Sequence, residues 1–515
     1  MIARILELSV RHRALVVMLT VGLLALGLWG YRNVRLDAIP DLSDVQVIVV
    51  TEYPGQNPQV VDDQVTYPLA SALLAVPGAT DVRGVSMFEL SFCYVLFEDG
   101  TDIYWARSRV LEYLSTIRDR LPAGVQPKLG PDATGVGWVY QYALVSDRHD
   151  LAELRTIQDY YLRYPLSSVE GVSEVASFGG FVKQYEVLLD PERVRAFGVS
   201  VNSVAAAIES SNRDVGGSVV ERSEQEYMVR SRGYLHGVDD LAKVPVGLGA
   251  NGTPVLLGQI AELRVGGEAR RSVGDLDGKG EAVGGVVVAR FGSNAFQVIK
   301  DAKARLEELK PGLPEGVRIV PTYDRSLVIQ RAVDTLRDAV FEELIVTGLI
   351  CLVFLAHVRS AIVALIILPI GLLVAMLLMT LLGINANIMS IGGLALAIGV
   401  MVDSSVVLVE NAHKHLQRAR DLFEKSGVPM PPQPEIVLAA AKEVAPSLFS
   451  SLLIITVAFL PIFVLGGESG RMFSPLAWTK TFAIGAAAIL GITVVPALMV
   501  WFLKGRIPRE ERNPV

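Results

Sequence analysis

One residue in this chain of 515 stands where its chemistry is out of place. Asp403 lies inside the apolar run 388–409, with Met401 and Val402 before it and Val406 to Val409 close behind. An ionisable side chain at the centre of a membrane helix costs about 2.5–3.5 kcal/mol on insertion scales, which makes such a residue a functional candidate by default. Burial disfavours the charged form of a carboxyl, which suits a group that takes up and releases protons. The position therefore predicts a proton or ion relay. The plainer alternative is helix glue, an Asp bonded to a Ser such as Ser404 or to backbone. Glu410 follows two turns along the same face. It reads as the cytoplasmic boundary, capped and solvated, with a supporting relay role as the alternative.

Little else in the chain could do chemistry. There is no paired-His motif, no Cys-x-x-Cys and no P-loop, so nothing points to ATP or to a cofactor. The six histidines are scattered, and His413 and His415 fall in a basic stretch that reads as solvated. Cys93 and Cys351 cannot build a disulfide framework and read as small buried hydrophobes. A net charge of -7 argues against nucleic acid, which needs clustered Lys and Arg.

The elements that must hold Asp403 are membrane helices. The chain is 51% hydrophobic and 20% charged, with a mean hydropathy of +0.42. That excludes a disordered chain, a fibre and a wholly soluble enzyme. The apolar excess sits in runs at 14–30, 341–356, 361–383, 388–409, 446–466 and 482–503. Six spans follow from about 20 apolar residues per crossing. Arg4, Arg11 and Arg13 would also suit a signal peptide, but no small-residue cleavage site follows, so the first run is read as retained. One set of ends carries Arg4, Arg11, Arg13, Arg359, Lys414, Arg418, Arg420, Lys425, Lys442, Lys504, Arg506, Arg509 and Arg512. The short turns of the other side carry only Arg471, with Lys480 at the edge of the last span. The basic side is cytoplasmic by the positive-inside rule, with both termini inside and the polar region 32–338 outside.

In that external region the periodicity changes to short strands and amphipathic helices. Strands are expected at 45–51, 80–87 and 90–97 and helices at 58–74 and 103–121, a split βαβ, ferredoxin-like order. A second unit is expected from strands near 139–145, 174–177, 184–189, 282–290 and 317–322 with helices at 151–166 and 296–309. It is interrupted by a Gly-rich stretch at 216–266. Residues 325–338 keep helical spacing and should run straight into the second span. The proline-rich stretch 429–434 reads as a linker.

The arrangement resembles the N-terminal half of a resistance-nodulation-division (RND) efflux pump, over essentially the whole chain. The matching motifs are Ala38-Ile39-Pro40-Asp41-Leu42-Ser43, Tyr53-Pro54-Gly55, Asp99-Gly100-Thr101-Asp102, Tyr323-Asp324-Arg325-Ser326 and Asp403 through Glu410-Asn411. Tyr104-Trp105-Ala106-Arg107 with Gly130-Pro131-Asp132-Ala133-Thr134-Gly135 looks like the heavy-metal branch. Multidrug members carry two adjacent Asp residues where this chain has Asp403-Ser404. A multidrug or lipid exporter, a secretion accessory subunit and a non-transporting scaffold or truncated product remain as alternatives.

The resemblance implies a trimeric, proton-driven secondary transporter of the inner membrane, a proton antiporter rather than an enzyme. It would work with a periplasmic adaptor and an outer-membrane channel. Asp403 is carried over as the proton relay. The fold class implied is an α-helical membrane protein with an α+β periplasmic region inserted between helices 1 and 2. Residues 1–31 would be the cytoplasmic N-terminus and first span. Residues 32–135 would be a pore-type subdomain, and 136–338 a second subdomain with a docking insertion at about 216–266. Spans two to four would occupy 339–411, a cytoplasmic loop 412–445, spans five and six 446–504 and a tail 505–515. Met389 and Met401 match two rungs of the methionine ladder of copper and silver members, since thioethers suit monovalent copper. Met is also an ordinary gap-filler in apolar helices. Ala269 and Leu408 stand at other rungs, and Met499 is the sole Met of the last span. Ala397-Ile398-Gly399 replaces the Asp-Phe-Gly of zinc, cobalt and cadmium members, so a heavy-metal cation is expected with its charge open. Family members carry two halves of six spans. The chain is therefore expected to need a second-half polypeptide and not to transport alone.

Overall fold

The computed structural model describes residues 1–249, 252–268, 273–355, 357–426 and 429–503. Ala269, the four basic residues from Lys504 to Arg512 and the 505–515 tail lie outside the described residues. The membrane part is built from α1 (Ile2–Arg11), α2 (Arg13–Asn33), α3 (Arg325–Leu355), α4 (Val358–Leu381), α5 (Ile388–Ser426), α6 (Gln433–Ala458) and α7 (Gly467–Phe502). Among the described residues, five helices are long and apolar enough to cross a membrane: α2, α4, α5, α6 with its continuation to Val464, and α7. The apolar end of α3 also holds Asp338, Glu342 and Glu343, and α3 is not among the five.

Three helices run further than hydropathy suggests. α5 continues past Val409 to Ser426, and α7 begins at Gly467 rather than near 482. α6 starts inside the stretch read as a linker, with Pro434 in its first turn, where the missing N–H costs nothing. Hydropathy reports only the apolar part of a helix. The backbone ladder continues through polar residues, and in α6 and α7 it runs on even through Pro446 and Pro475.

The external region holds two sheets of the same design. In the first, strands Gln46–Glu52, Ala79–Met87, Leu90–Phe97 and Pro127–Leu129 lie in the spatial order second, third, first, fourth, all antiparallel. Val49, Val95, Leu69 and Val110 are fully buried between this sheet and its two helices. In the second, strands Trp138–Val145, Val172–Phe178, Val283–Ala289 and Arg318–Asp324 take the same order. Val283–Ala289 is buried at every position, as a central strand covered on both faces must be. Each unit also carries a π-helical turn in its first helix, at Asp62–Thr66 and at Ile157–Leu162.

One strand changes partners. The strand expected at 184–189 in the second unit, Lys183–Leu189, pairs instead with Ala261–Gly267. With helices Pro191–Ala196 and Val201–Ser211 it encloses a separate small core of Val204, Leu241, Val255 and Ile260. Alternation reveals that a strand exists; it does not reveal which edge the strand joins. From this unit projects a hairpin, Val215–Arg222 with Gln225–Ser231, in which every residue is exposed.

A buried charge joins the second external sheet to the membrane part. Arg325, with a side chain only 4% exposed, begins α3 directly after the last strand. Its guanidinium donates to the Val136 carbonyl and pairs with Asp37 at 3.0 Å, just after α2. Burial pushes the Asp37 carboxyl above its ordinary range, and the charge of Arg325 offsets only part of that rise. Beside it, Asp37 N–H donates to Ala386 O and Ala386 N–H to Arg35 O, which ties in the turn between α4 and α5. Lys303 pairs with Asp324 one residue away.

Two outcomes follow. Arg325→Met strands a buried Asp37 carboxylate, a class of change that costs about 3–5 kcal/mol. Thermal unfolding of the chain in detergent should drop accordingly, and Asp37→Leu added to Arg325→Met should recover most of the loss. At Asp324, burial pushes the carboxyl up, but bonds from Lys303 and Ser326 outweigh it and hold it below its ordinary value of 3.8. Its stabilisation is thus present above that pH and is lost as pH falls through the lowered native value. Lys303→Met should flatten this acid limb of a stability–pH curve.

Candidate functional site

The candidate site is the outer face of α5. Asn387 and Ser390 start the helix by bonding each other: Asn387 N–H donates to Ser390 Oγ (2.7 Å) and Ser390 N–H to Asn387 Oδ1 (3.0 Å). Both residues are buried, so the helix start is fixed. From there the side chains divide into two stripes at helical spacing.

The inner stripe holds Gly393, Ala397, Met401, Ser404 and Leu408, and Ala397 and Met401 are fully buried. A Cβ on Gly393 would collide with Thr479 Oγ1 and the Leu476 carbonyl of α7, so only glycine permits this approach. Met401 fills the space left by Gly371 of α4. The Ser404 hydroxyl donates to the Met401 carbonyl at 3.0 Å, within its own helix.

The outer stripe holds Gly392, Leu396, Gly399, Asp403, Val407 and Glu410. Cβ atoms added at Gly392 or Gly399 would meet nothing within 4 Å. Leu396 is 57% exposed. Asp403 is exposed, and among the described residues it has no hydrogen-bond or ion-pair partner. Glu410 lies further along the same stripe, paired with Lys414 at 2.6 Å. The structure therefore aligns Asp403 with Glu410 but turns Met401 and Ser404 away from them. Met389 is partly exposed beside the helix start.

Two features lie outside the residues singled out from the sequence. His413 is not solvated: it is buried, with Nε2 2.6 Å from Ser360 Oγ, which also meets His357 Nδ1 at 2.8 Å. Continuation of α5 puts His413 on the buried stripe with Val409, Ala412 and Leu416, a placement that follows only once the helix is known to continue. Arg471, near the start of α7, pairs with Asp44 (2.8 Å) and Asp99 (2.7 Å) of the first external unit. Those carboxylates and Phe463 line a cavity of about 620 Å³. Nothing in the sequence pairs Arg471 with them, since 372 residues separate it from Asp99.

Among the described residues no three His, Cys, Asp or Glu side chains gather as a metal site. Cys93 is buried, and that burial pushes its thiol up to about 11, so it stays protonated. Cys351 is likewise buried and free.

The division of α5 makes a direct prediction. Gly393→Leu should destabilise the purified chain by about 1–3 kcal/mol or more through overpacking against α7, whereas Gly399→Leu, which gains helix propensity and meets open space, should not lower its melting temperature. Equal losses in a detergent melting assay would contradict the assignment of the two stripes.

The sequence profile described as the AcrB/AcrD/AcrF family matches residues 5–514. Cation efflux system protein CusA of Escherichia coli (strain K12) is 52% identical over 517 residues, an alignment covering 100% of this chain and 49% of that protein. Putative cation efflux system protein SilA of Salmonella typhimurium is 51% identical with the same coverage. Cobalt-zinc-cadmium resistance protein CzcA of Cupriavidus metallidurans is 34% identical, again over 100% of this chain and 49% of its own length. The crystal structure of a heavy metal efflux pump superposes with a TM-score of 0.83 at 30% identity, covering 96% of this chain and 48% of that one. The chain spans about half the length of the curated relatives it matches.

Proposed function

The chain belongs to the AcrB/AcrD/AcrF family, and we propose that it is the N-terminal half of a proton-driven RND pump that exports a heavy-metal cation across the inner membrane. The observation that carries this reading is Asp403: an unpartnered carboxylate on the open stripe of a helix whose other stripe is tightly packed. A carboxylate facing lipid is costly, so the open stripe is the seat for a second half that supplies its counter-charges. The names of relatives at 52% and 34% identity, efflux and resistance proteins for cations, support metal as the cargo. The charge of that metal stays open. Enclosure of Met401 against Gly371 supports a packing role for it rather than a step on a metal path.

In this reading α3 is the second of six spans, and its unbroken run from Arg325 supports that. The strand order of both external sheets supports two ferredoxin-like units, placed in the periplasm. Arg4, Arg11 and Arg13, Arg359, and Lys414 through Lys425 all fall at one end of the helices, which supports cytoplasmic termini. The complete pump would be a trimer with a periplasmic adaptor and an outer-membrane channel. It acts by transport, with no resident cofactor.

Asp403→Asn tests the central role. In a complete pump it should abolish metal export driven by a pH gradient in proteoliposomes, and the purified chain should melt unchanged, because the carboxylate has no partner to lose. Export at near the wild-type rate would refute the relay. Orientation is checked separately: Glu226→Cys on the hairpin and Lys425→Cys at the end of α5 should label from opposite sides.

A further inference from the structure

At the end of the molecule opposite the external region, α1 does not continue into α2. His12 breaks the helix with φ -107° and ψ 39°, so α1 folds back against α6 and α7. Leu6, Ser9 and Val10 are buried there, which fixes the position of α1 by packing rather than by charge. The bend leaves a cleft of about 760 Å³ between α1, the first turn of α2 and the first turns of α6. Arg11, His12 and Arg13 line one side of it, with Ala14, Leu15 and Leu438 beside them.

The charges of this cleft do not cancel. Glu7 is held by Lys442, whose hydrogen bond keeps its carboxyl below the usual range. Glu435 sits in the first turn of α6, where the helix dipole already favours an anion. Arg11 and Arg13 have no hydrogen-bond or ion-pair partner among the described residues. Two guanidinium groups thus face one remaining carboxylate. Guanidinium forks match phosphate oxygens two at a time. Leu15, 49% exposed, opens the apolar stretch of α2 next to them, so an anion held here would have hydrocarbon directly beneath it.

We propose that this cleft binds the phosphate headgroup of an anionic phospholipid of the cytoplasmic leaflet, with Arg11 and Arg13 holding the phosphate and the acyl chains lying along Ala14 and Leu15. The placement in that leaflet rests on the orientation proposed above; the binding itself does not. The apolar floor favours a lipid over free phosphate, because inorganic phosphate would leave Leu15 and Leu438 uncovered.

The test is lipid retention by the purified full chain in detergent, read by native mass spectrometry. Phosphatidylglycerol, phosphatidylcholine and inorganic phosphate serve as separate probes. Phosphatidylglycerol should be retained over phosphatidylcholine, and phosphate should compete poorly. Arg11→Gln with Arg13→Gln should weaken phosphatidylglycerol retention about 25-fold, at about fivefold for each basic residue. Arg4→Gln removes the same charge from α1 outside the cleft and should stay within twofold. Should the double variant misfold, Arg11→Lys with Arg13→Lys keeps the charge and should give an intermediate loss. Equal retention of the two lipids, an Arg4→Gln effect as large as the double variant's, or full competition by phosphate would each overturn the site. Labelling of His12→Cys from the outer side would overturn the orientation while leaving binding in detergent intact, so the two failures are distinguishable.

Discussion

The buried guanidinium of Arg325 is the interaction on which the two halves of this architecture depend. It lies where three pieces of chain converge, the exit from α2 at Asp37, the loop at Val136 and the start of α3, above the core that Ala38, Val139 and Ile329 share. Such a buried pair adds little net stability by itself, because desolvation consumes most of the attraction. Its contribution is positional. With the Leu36–Ala386 bridge it fixes the entry to and exit from the external region, and the turn between α4 and α5, at a single point. A shift of α3 or α5 therefore displaces the second sheet directly, without a flexible joint between them.

The same economy governs α5. Small residues let its inner stripe approach α7 closely, with Thr479 donating to the Ser390 carbonyl at 3.0 Å. The outer stripe also carries glycines, and among the described residues nothing lies within 4 Å of a Cβ built at Gly392 or Gly399. One helix is thus half core and half open face, and Asp403 belongs to the open face. At the external end, Arg471 joins the start of α7 to Asp44 and Asp99, a second rigid tie between the membrane helices and the first sheet.

Much of this was legible from residue order alone. The strands at Leu90–Phe97 and Val283–Ala289 announce themselves by β-branched and aromatic runs, and Asp403 by its type in an apolar run. Less legible was everything set by distance along the chain. Lys183–Leu189 reads correctly as a strand, yet its partner lies beyond a long insertion. His413 reads as solvated because apolar character ends at Val409, although the helix does not. The two external units share strand order and a π turn at matching places, while their residues at those turns, Asp62-Asp63-Gln64 and Ile157-Gln158-Asp159, have little in common. Backbone geometry preserves a repeat that side-chain identity has lost.

The exposed hairpin of the third external unit differs in kind from the rest. Its turn residues Ser223 and Glu224 adopt φ of 53° and 63°, the left-handed pair that suits a tight two-residue connection. Beyond that turn it rests on its cross-strand hydrogen bonds and on exposed contacts, Tyr227 Oη to Gln225 and Arg230 with Asp214, because no side chain on either strand is buried. An isolated two-stranded ribbon is marginally stable at best in water. Its opening is therefore uncoupled from global unfolding and lies at the low end of the local free-energy scale. In the isolated chain its amides exchange with solvent, and its backbone admits proteases, long before the buried Val283–Ala289 strand does either.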